Sequence, residues 1–437
     1  MTEKKHSPKS PPCVQITGMG IVSAIGHDIA EFTRSLADGK SGVRRIAQST
    51  TPPLAVAIGA EIDGFNFEQM LGQFSDMPES LTQSAQHVTR RAPFTIQTSV
   101  ISALQAWRQA RLNDKPIESE RIGLVIAGHN TTQNYQYSLC SDFQRNPEYL
   151  SPRYALQFMD SNQIGVLSEI FNIRGEGFVT GGASASGNVG VIHGARLIQA
   201  GLVDACLVVG VVADLSPMEI QGFCTIGAMG GKQFHDQPEK ACRPFDALHE
   251  GFIYGQASAC LVLESGNSAN ARKAPGLANI LGGAINLHAT ASAQPDIDGE
   301  TKAMNAALQQ SGLAACEIDY LNTHGSSSPL GDKVEIQAIE QVFGDHFPRV
   351  RLNATKGLTG HCLYSAGVVE IIASVVQMQQ GFIHPNINLE NPINTTANFC
   401  GATAVSQQIH SAMSNSFGFG GINTSIVLQR ISADTDF

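Results

Sequence analysis

Residues 179–197 read VTGGASASGNVGVIHGARL: a short apolar run, two glycines, a pair of serines among alanines, and then apolar residues at helical spacing. That order marks a strand turning sharply into a helix. The first N–H groups of a helix have no partner within it, so a helix beginning near Ser184 presents a positively polarised turn suited to an oxyanion. Two readings of these residues stand side by side. Either Ser184 faces chemistry at this turn, or Gly181, Gly182, Ala183 and Ala185 only let a buried helix pack closely while the serines cap it.

Working outward, VQITGMGIVSAIG (14–26), RIGLVIAG (121–128), ACLVVGVVAD (205–214) and ASACLVLES (257–265) have the apolar density of buried strands, and helical patterns alternate with them. A second set follows residue 276: LANILGGAINL as a strand pair or bend, ETKAMNAALQQSGL as a helix, IDYLNTHG as a strand into a polar loop, then two further helices and a glycine loop entering a strand. Two runs of strand and helix predict two similar layered units with a boundary near 266–276.

The 437 residues, 42% hydrophobic and 15% charged, suffice to bury a large core, and 43 glycines predict many tight turns or close approaches. The net charge of −10, with no basic run, argues against nucleic acid as a main partner. Nine cysteines without CxxC pairing predict a reducing, cytoplasmic setting and neither a disulfide framework nor a structural metal. The polar opening MTEKKHSPKSPP reads as a loose tail over residues 1–13 rather than a signal peptide, and no stretch is apolar for long enough to span a membrane.

Three further stretches carry reactive residue types. NTHGSSSPLGD places His324 at a strand end before small hydroxyl residues, although a histidine before glycine also serves structure alone. NATKGLTGHCLYSAGVVE holds Lys356, His361 and Glu370, or is simply a solvated loop with a capped helix. NSFGFGGIN alternates Phe417 and Phe419 with glycines, most simply as a mobile loop with one ring buried.

In this order and at these spacings, with LSPRYALQFMDSNQIGVLSEIFNIRGEG and CRPFDALHEGFIYGQ between them, the motifs resemble the β-ketoacyl synthases of the thiolase superfamily from about Val14 to Leu428. The resemblance implies an α/β, thiolase-like fold with two layered halves (αβαβα) sharing a core. Residues 14–270 would carry the nucleophile position and 271–437 two catalytic histidines. The family's cysteine nucleophile falls nine residues after Gly175 and twelve before Arg196, and Ser184 stands there. By the same resemblance, His324 and His361 stabilise a decarboxylation transition state, Lys356 is the loop lysine and Glu370 the buried glutamate. Phe419, with Phe417 beside it, gates the pocket, Ser326 and Ser328 meet the pantetheine arm, and the backbone of Ser184 and Phe419 forms the oxyanion site. HEGFIYGQA departs from the family's usual Arg-Asp-Gly-Phe-x-x-Gly-Glu-Gly at His249, Glu250, Gln256 and Ala257, which puts local salt bridging in doubt.

Serine in place of cysteine changes the expected chemistry. A thiol near pKa 8.5 becomes a thiolate at a helix N-terminus, whereas a hydroxyl needs a dedicated base. Acyl loading should fail or be slow, while decarboxylation, which forms no bond to residue 184, should continue. The pattern is similar to the malonyl-carrier-protein decarboxylases of polyketide β-branching cassettes. That resemblance implies an acyl carrier protein as partner, a hydroxymethylglutaryl-synthase-like enzyme downstream, and no cofactor beyond the phosphopantetheine carrying the substrate. It also implies a homodimer, joined through the strand after the nucleophile helix, ACLVVGVVAD. Serine-dependent acyl transfer or condensation, and a non-catalytic chain-length subunit of a heterodimer, are the other readings.

Overall fold

A computed structural model of the chain describes residues 13–46, 50 and 53–431. The expected tail, 1–13, lies outside the described residues apart from Cys13. Ten strands form one mixed sheet: β1 (Val14–Ser23), β2 (Ile122–Ala127), β3 (Gly177–Thr180), β4 (Ala205–Gly210), β5 (Ala257–Ser265), β6 (Ala278–Leu287), β7 (Tyr320–Asn322), β8 (Arg351–Asn353), β9 (Ser411–Gly418) and β10 (Ile422–Arg430). Their spatial order is β8-β7-β9-β10-β6-β1-β5-β4-β2-β3. Each half therefore runs third, second, fourth, fifth, first, counted from its own start, and the halves meet at β1 and β6.

Among the described residues three pairs, Val14 with Ile280, Gln15 with Asn279 and Ile16 with Ala278, join the halves through the sheet. Helices supply the rest: α1 (Phe94–Gln109), α2 (Ser186–Gln199), α3 (Ile297–Ser311), α4 (Pro329–Phe343) and α5 (Ala366–Gln380). α1 packs on β1 and β5, and α3 packs on β6 and β10, as outer layers. Between the halves lie α2, which touches strands of both, and α5, apolar on nearly every face as a helix enclosed on all sides must be. Their crossing depends on glycine. A Cβ on Gly187 would come 2.6 Å from the Val368 nitrogen, and one on Gly367 would come 2.6 Å from the Asn188 nitrogen.

Three expectations are corrected. LANILGGAINL is one strand, β6, whose irregularity is a bulge at Leu281 opposite Val427 and Leu428. The helix after the glycine turn begins at Ser186, because residues Ala183–Ala185 first make a 3-10 turn. The run containing β4 cannot continue the sheet into a second copy, because β4 is paired on both sides, with β2 and β5. β3 is the strand with a free edge at that end of the sheet.

Candidate active site

The segment after β3 is built for close approach. Ala183 takes a positive φ of 48°, Gly182 N donates to Ser186 Oγ at 2.9 Å, and Ser186 Oγ donates to the Ala183 carbonyl at 2.7 Å. Ser186 thus ties the turn to the helix that follows it. The β9–β10 hairpin leans on the same turn: Ser416 Oγ donates to the Ser184 carbonyl at 3.2 Å, and a Cβ on Gly418 would lie 2.2 Å from the Gly182 oxygen. Among the described residues the Ser184 hydroxyl has no hydrogen-bond partner. No base is hydrogen-bonded to it among the described residues.

His324 follows β7, where the backbone turns through Gly325 (φ 40°) and Ser327 (φ 67°) before α4. Glu335, nearly two turns into α4, clamps this loop by accepting from His324 N and Gly325 N, both at 2.7 Å. Asp332 accepts from Ser327 N at 3.1 Å and Phe245 N at 2.7 Å, and pairs with His249 Nδ1 at 2.9 Å. These two carboxylates were not singled out from the sequence; the spacing of GDKVE after His324 was the available signal. Burial pushes Glu335 up to about 7, against the pull of its backbone donors.

Lys356, His361 and Glu370 are 1%, 2% and 1% exposed, which overturns the solvated-loop reading of their motif. Lys356 Nζ donates to the Glu370 carboxylate, to the His324 carbonyl at 2.5 Å and toward His324 Nδ1 at 3.4 Å. An ammonium only donates, so His324 Nδ1 accepts and the ring proton sits on Nε2. At His361 the backbone N–H of Leu363 donates to Nδ1 at 3.1 Å, which gives the same tautomer. Burial, then the charge of Lys356, then His361 hold His324 well below the ordinary histidine value. Burial and Lys356 do the same to His361. Burial pushes Glu370 up to about 7 while Lys356 pulls it back.

The ring centroids of His324 and His361 are 5.4 Å apart at 80°. Neither Nε2 has a hydrogen-bond partner among the described residues. The site therefore holds two neutral imidazoles with free N–H donors. Aromatic rings dry it: Phe417 stands 5.6 Å from His324, and Phe252 meets His361 edge-on at 5.4 Å. Phe419 sits at the hairpin tip, 39% exposed, 6.4 Å from Phe223. Ser328 caps α4 by accepting from Gly331 N at 3.1 Å, so its hydroxyl is already engaged as an acceptor, while Ser326 lies beside it on the same loop.

Profiles described as beta-ketoacyl synthase, N-terminal domain and C-terminal domain, match residues 12–269 and 277–390. The chain belongs to the β-ketoacyl synthase family. One relative is a polyketide biosynthesis malonyl-ACP decarboxylase, PksF, of Bacillus subtilis, 36% identical over 96% of this chain and 97% of the other. Another is a 3-oxoacyl-[acyl-carrier-protein] synthase 2 of Coxiella burnetii, 32% identical over 96% and 98%. Among solved structures, a β-ketoacyl synthase of Burkholderia phymatum superposes with TM-score 0.83 at 28% identity, covering 96% of this chain and all of the other. The ishigamide ketosynthase/chain length factor gives TM-score 0.83 at 26% identity, covering 97% and 100%. These likenesses confirm the thiolase-like α/β architecture that the ordered motifs implied.

Three of the four positions where the chain departs from the family pattern have polar partners: His249 meets Asp332, Glu250 accepts from Gly231 N at 2.5 Å, and Gln256 links Ile62 N at 3.0 Å with the Tyr254 hydroxyl at 3.0 Å.

Proposed function

We propose that this β-ketoacyl synthase relative decarboxylates a malonyl group held on an acyl carrier protein and releases acetyl on the same carrier. The observation that carries the reading is the pairing of an unactivated Ser184 with two neutral imidazoles whose Nε2–H groups are free. The thioester oxygen binds between the two donors. The bond from the α-carbon to the carboxylate breaks, CO2 leaves, and the electron pair passes through the α-carbon to the thioester oxygen as an enolate. Preorganised N–H donors stabilise that charge far more than they stabilise the neutral carbonyl, by a factor of about 10²–10³ in rate for each donor lost. A proton from solvent then adds to the α-carbon and acetyl thioester forms.

Condensation needs an acyl-enzyme at residue 184, and the hydroxyl there has no hydrogen-bonded base among the described residues. The likeness to a relative named as a malonyl-ACP decarboxylase agrees with this chemistry. The reading takes Ser326 and Ser328 as contacts for the phosphopantetheine arm, Phe419 as its gate, and the backbone of Ser184 and Phe419 as a further anion site. It uses no other cofactor, and places the reaction in the cytoplasm in polyketide β-branching, upstream of a hydroxymethylglutaryl-synthase-like enzyme.

The likeness to a ketosynthase/chain length factor favours a second reading, a non-catalytic partner subunit. Retention of His324, His361 and Lys356 together, with Lys356 holding His324 in one tautomer, favours the catalytic reading over such a subunit. Incubation of the pure protein with malonyl-carrier protein, followed by intact-mass analysis, separates the two. Acetyl-carrier protein without a mass gain on the enzyme is expected. Inertness until a second synthase is added supports the subunit reading, and an acyl mass on Ser184 supports acyl transfer.

We further propose a homodimer formed edge to edge through β3. Glu176 and Thr180 accept from Leu124 N and Gly128 N, so alternation leaves the Gly177 and Val179 backbone groups facing outward, unpaired among the described residues.

A further inference from the structure

The Ser184 turn has two flanks. On one, Ser416 and Phe417 lead to the imidazoles. On the other lie the C-terminal ends of β2 and β3, and two rings that the chemistry above leaves unused fill the space there. His129 follows Gly128 at the end of β2, and its ring centroid is 4.7 Å from that of Tyr364, tilted by 47°. Tyr364 belongs to the 3-10 turn Leu363–Ser365, which packs directly on the Ala183–Ala185 turn. His129 reaches across to the residue leading into that turn: a Cβ on Gly181 would lie 2.8 Å from its Cδ2. A Cβ on Gly128 would lie 3.3 Å from the Tyr364 Cβ, so glycine on both neighbouring strands admits the rings.

The pair is anchored. Asp160 accepts from Asn130 N at 2.8 Å and from Thr131 N and Oγ1 at 2.8 and 2.9 Å, fixing the loop that carries His129. Tyr364 is buried. An acyl chain that passes Ser184 toward the ends of β2 and β3 meets these rings, because the Leu363–Ser365 turn packs on the Ala183–Ala185 turn and His129 lies beside Gly181. Forcing extra methylenes into a packed site displaces side chains and backbone at a cost that grows with chain length.

We propose that His129 and Tyr364 form a wall that limits the acyl space beside Ser184 to groups of two or three carbons, so that malonyl and acetyl fit and longer chains do not. The proposal rests on the decarboxylase reading and supplies its substrate limit. It is tested by giving the turn a thiol that reports which acyl groups reach it.

In Ser184→Cys, the thiolate attacks the carrier thioester, a new C–S bond forms, and the pantetheine thiolate leaves and takes the proton. Acetyl- and octanoyl-carrier protein are offered in parallel and the enzyme's intact mass is followed. S184C is expected to gain acetyl and to gain octanoyl at least tenfold more slowly. S184C/H129A or S184C/Y364A is expected to gain octanoyl at least tenfold faster than S184C. His129→Ala, at the less buried of the two positions, stands in if Tyr364→Ala does not fold. Octanoyl loading of S184C as fast as acetyl overturns the wall, and so does absence of octanoyl loading in both double variants, with or without acetyl loading. Wild-type protein that leaves malonyl-carrier protein unchanged counts against the decarboxylase reading alone, because thiol loading uses no decarboxylation.

Discussion

Lys356 and His324 are joined twice, through the backbone carbonyl at 2.5 Å and through the ring Nδ1 at 3.4 Å, while the same ammonium is paired with the buried Glu370. Three donors meet three acceptors, so one side chain fixes the position of His324, its tautomer, and the charge balance of α5 beneath it. Removing Glu370 alone leaves an ammonium buried without a counter-charge. Glu370→Leu is expected to lower stability by about 3–5 kcal/mol. Lys356→Met/Glu370→Leu, which removes both charges, is expected to lose less than Glu370→Leu alone. Urea unfolding of the two single variants and the double variant measures the coupling; a double variant as unstable as the sum of the singles would show that the ion pair contributes nothing.

Ser184 forms no bond in the proposed reaction, whereas both imidazoles donate to the enolate. Ser184→Ala is expected to keep decarboxylation within about threefold of the wild type, and His324→Ala or His361→Ala to lower kcat by about 10²–10³. The rate of acetyl-carrier formation by mass spectrometry is the readout. A collapse of activity in S184A moves the reading to serine acyl transfer.

Both imidazoles have folded values well below the ordinary one, so the unfolded chain binds protons on them first as pH falls through about 6.5. Each therefore takes stability away on acidification. His361→Asn lacks that penalty, so its stability relative to the wild type should rise by about 1 kcal/mol between pH 7 and 5.5. Glu370 and Glu335, raised to about 7 by burial, act in the opposite sense in both proteins and cancel in the difference. Denaturant midpoints at the two pH values decide it; a constant difference means His361 titrates alike in both states.

Proline on an edge strand is tolerated within the chain but removes an outward N–H. Val179→Pro is expected to turn the proposed dimer into a monomer with unchanged far-ultraviolet circular dichroism, measured by light scattering behind size exclusion. A persistent dimer would place the interface elsewhere.

Much of the fold was legible because its signals are local. The apolar runs that become β2, β4 and β5 are short and bounded by turn residues, and α5 reads as a buried helix from its composition. Pairing order is not local. The run 205–214 suited an outer, dimer-forming strand equally well by composition, yet β4 lies between β2 and β5 and the shorter, more polar β3 holds the edge. Glu335 and Asp332 stand among other charged residues in GDKVEIQAIEQ, and only folding carries them beneath the backbone of His324 and Ser327.

The sequence by itself determined which residues could do chemistry: a serine at a glycine turn, two histidines before small residues, a lysine and a glutamate fourteen positions apart. Tertiary structure decided their states. Whether a histidine is neutral, which ring nitrogen carries its proton, and whether a hydroxyl has a base depend on groups brought together from β7, α4, α5 and the β9–β10 hairpin. Burial and partner geometry set those properties, and both arise only when distant segments close around one another.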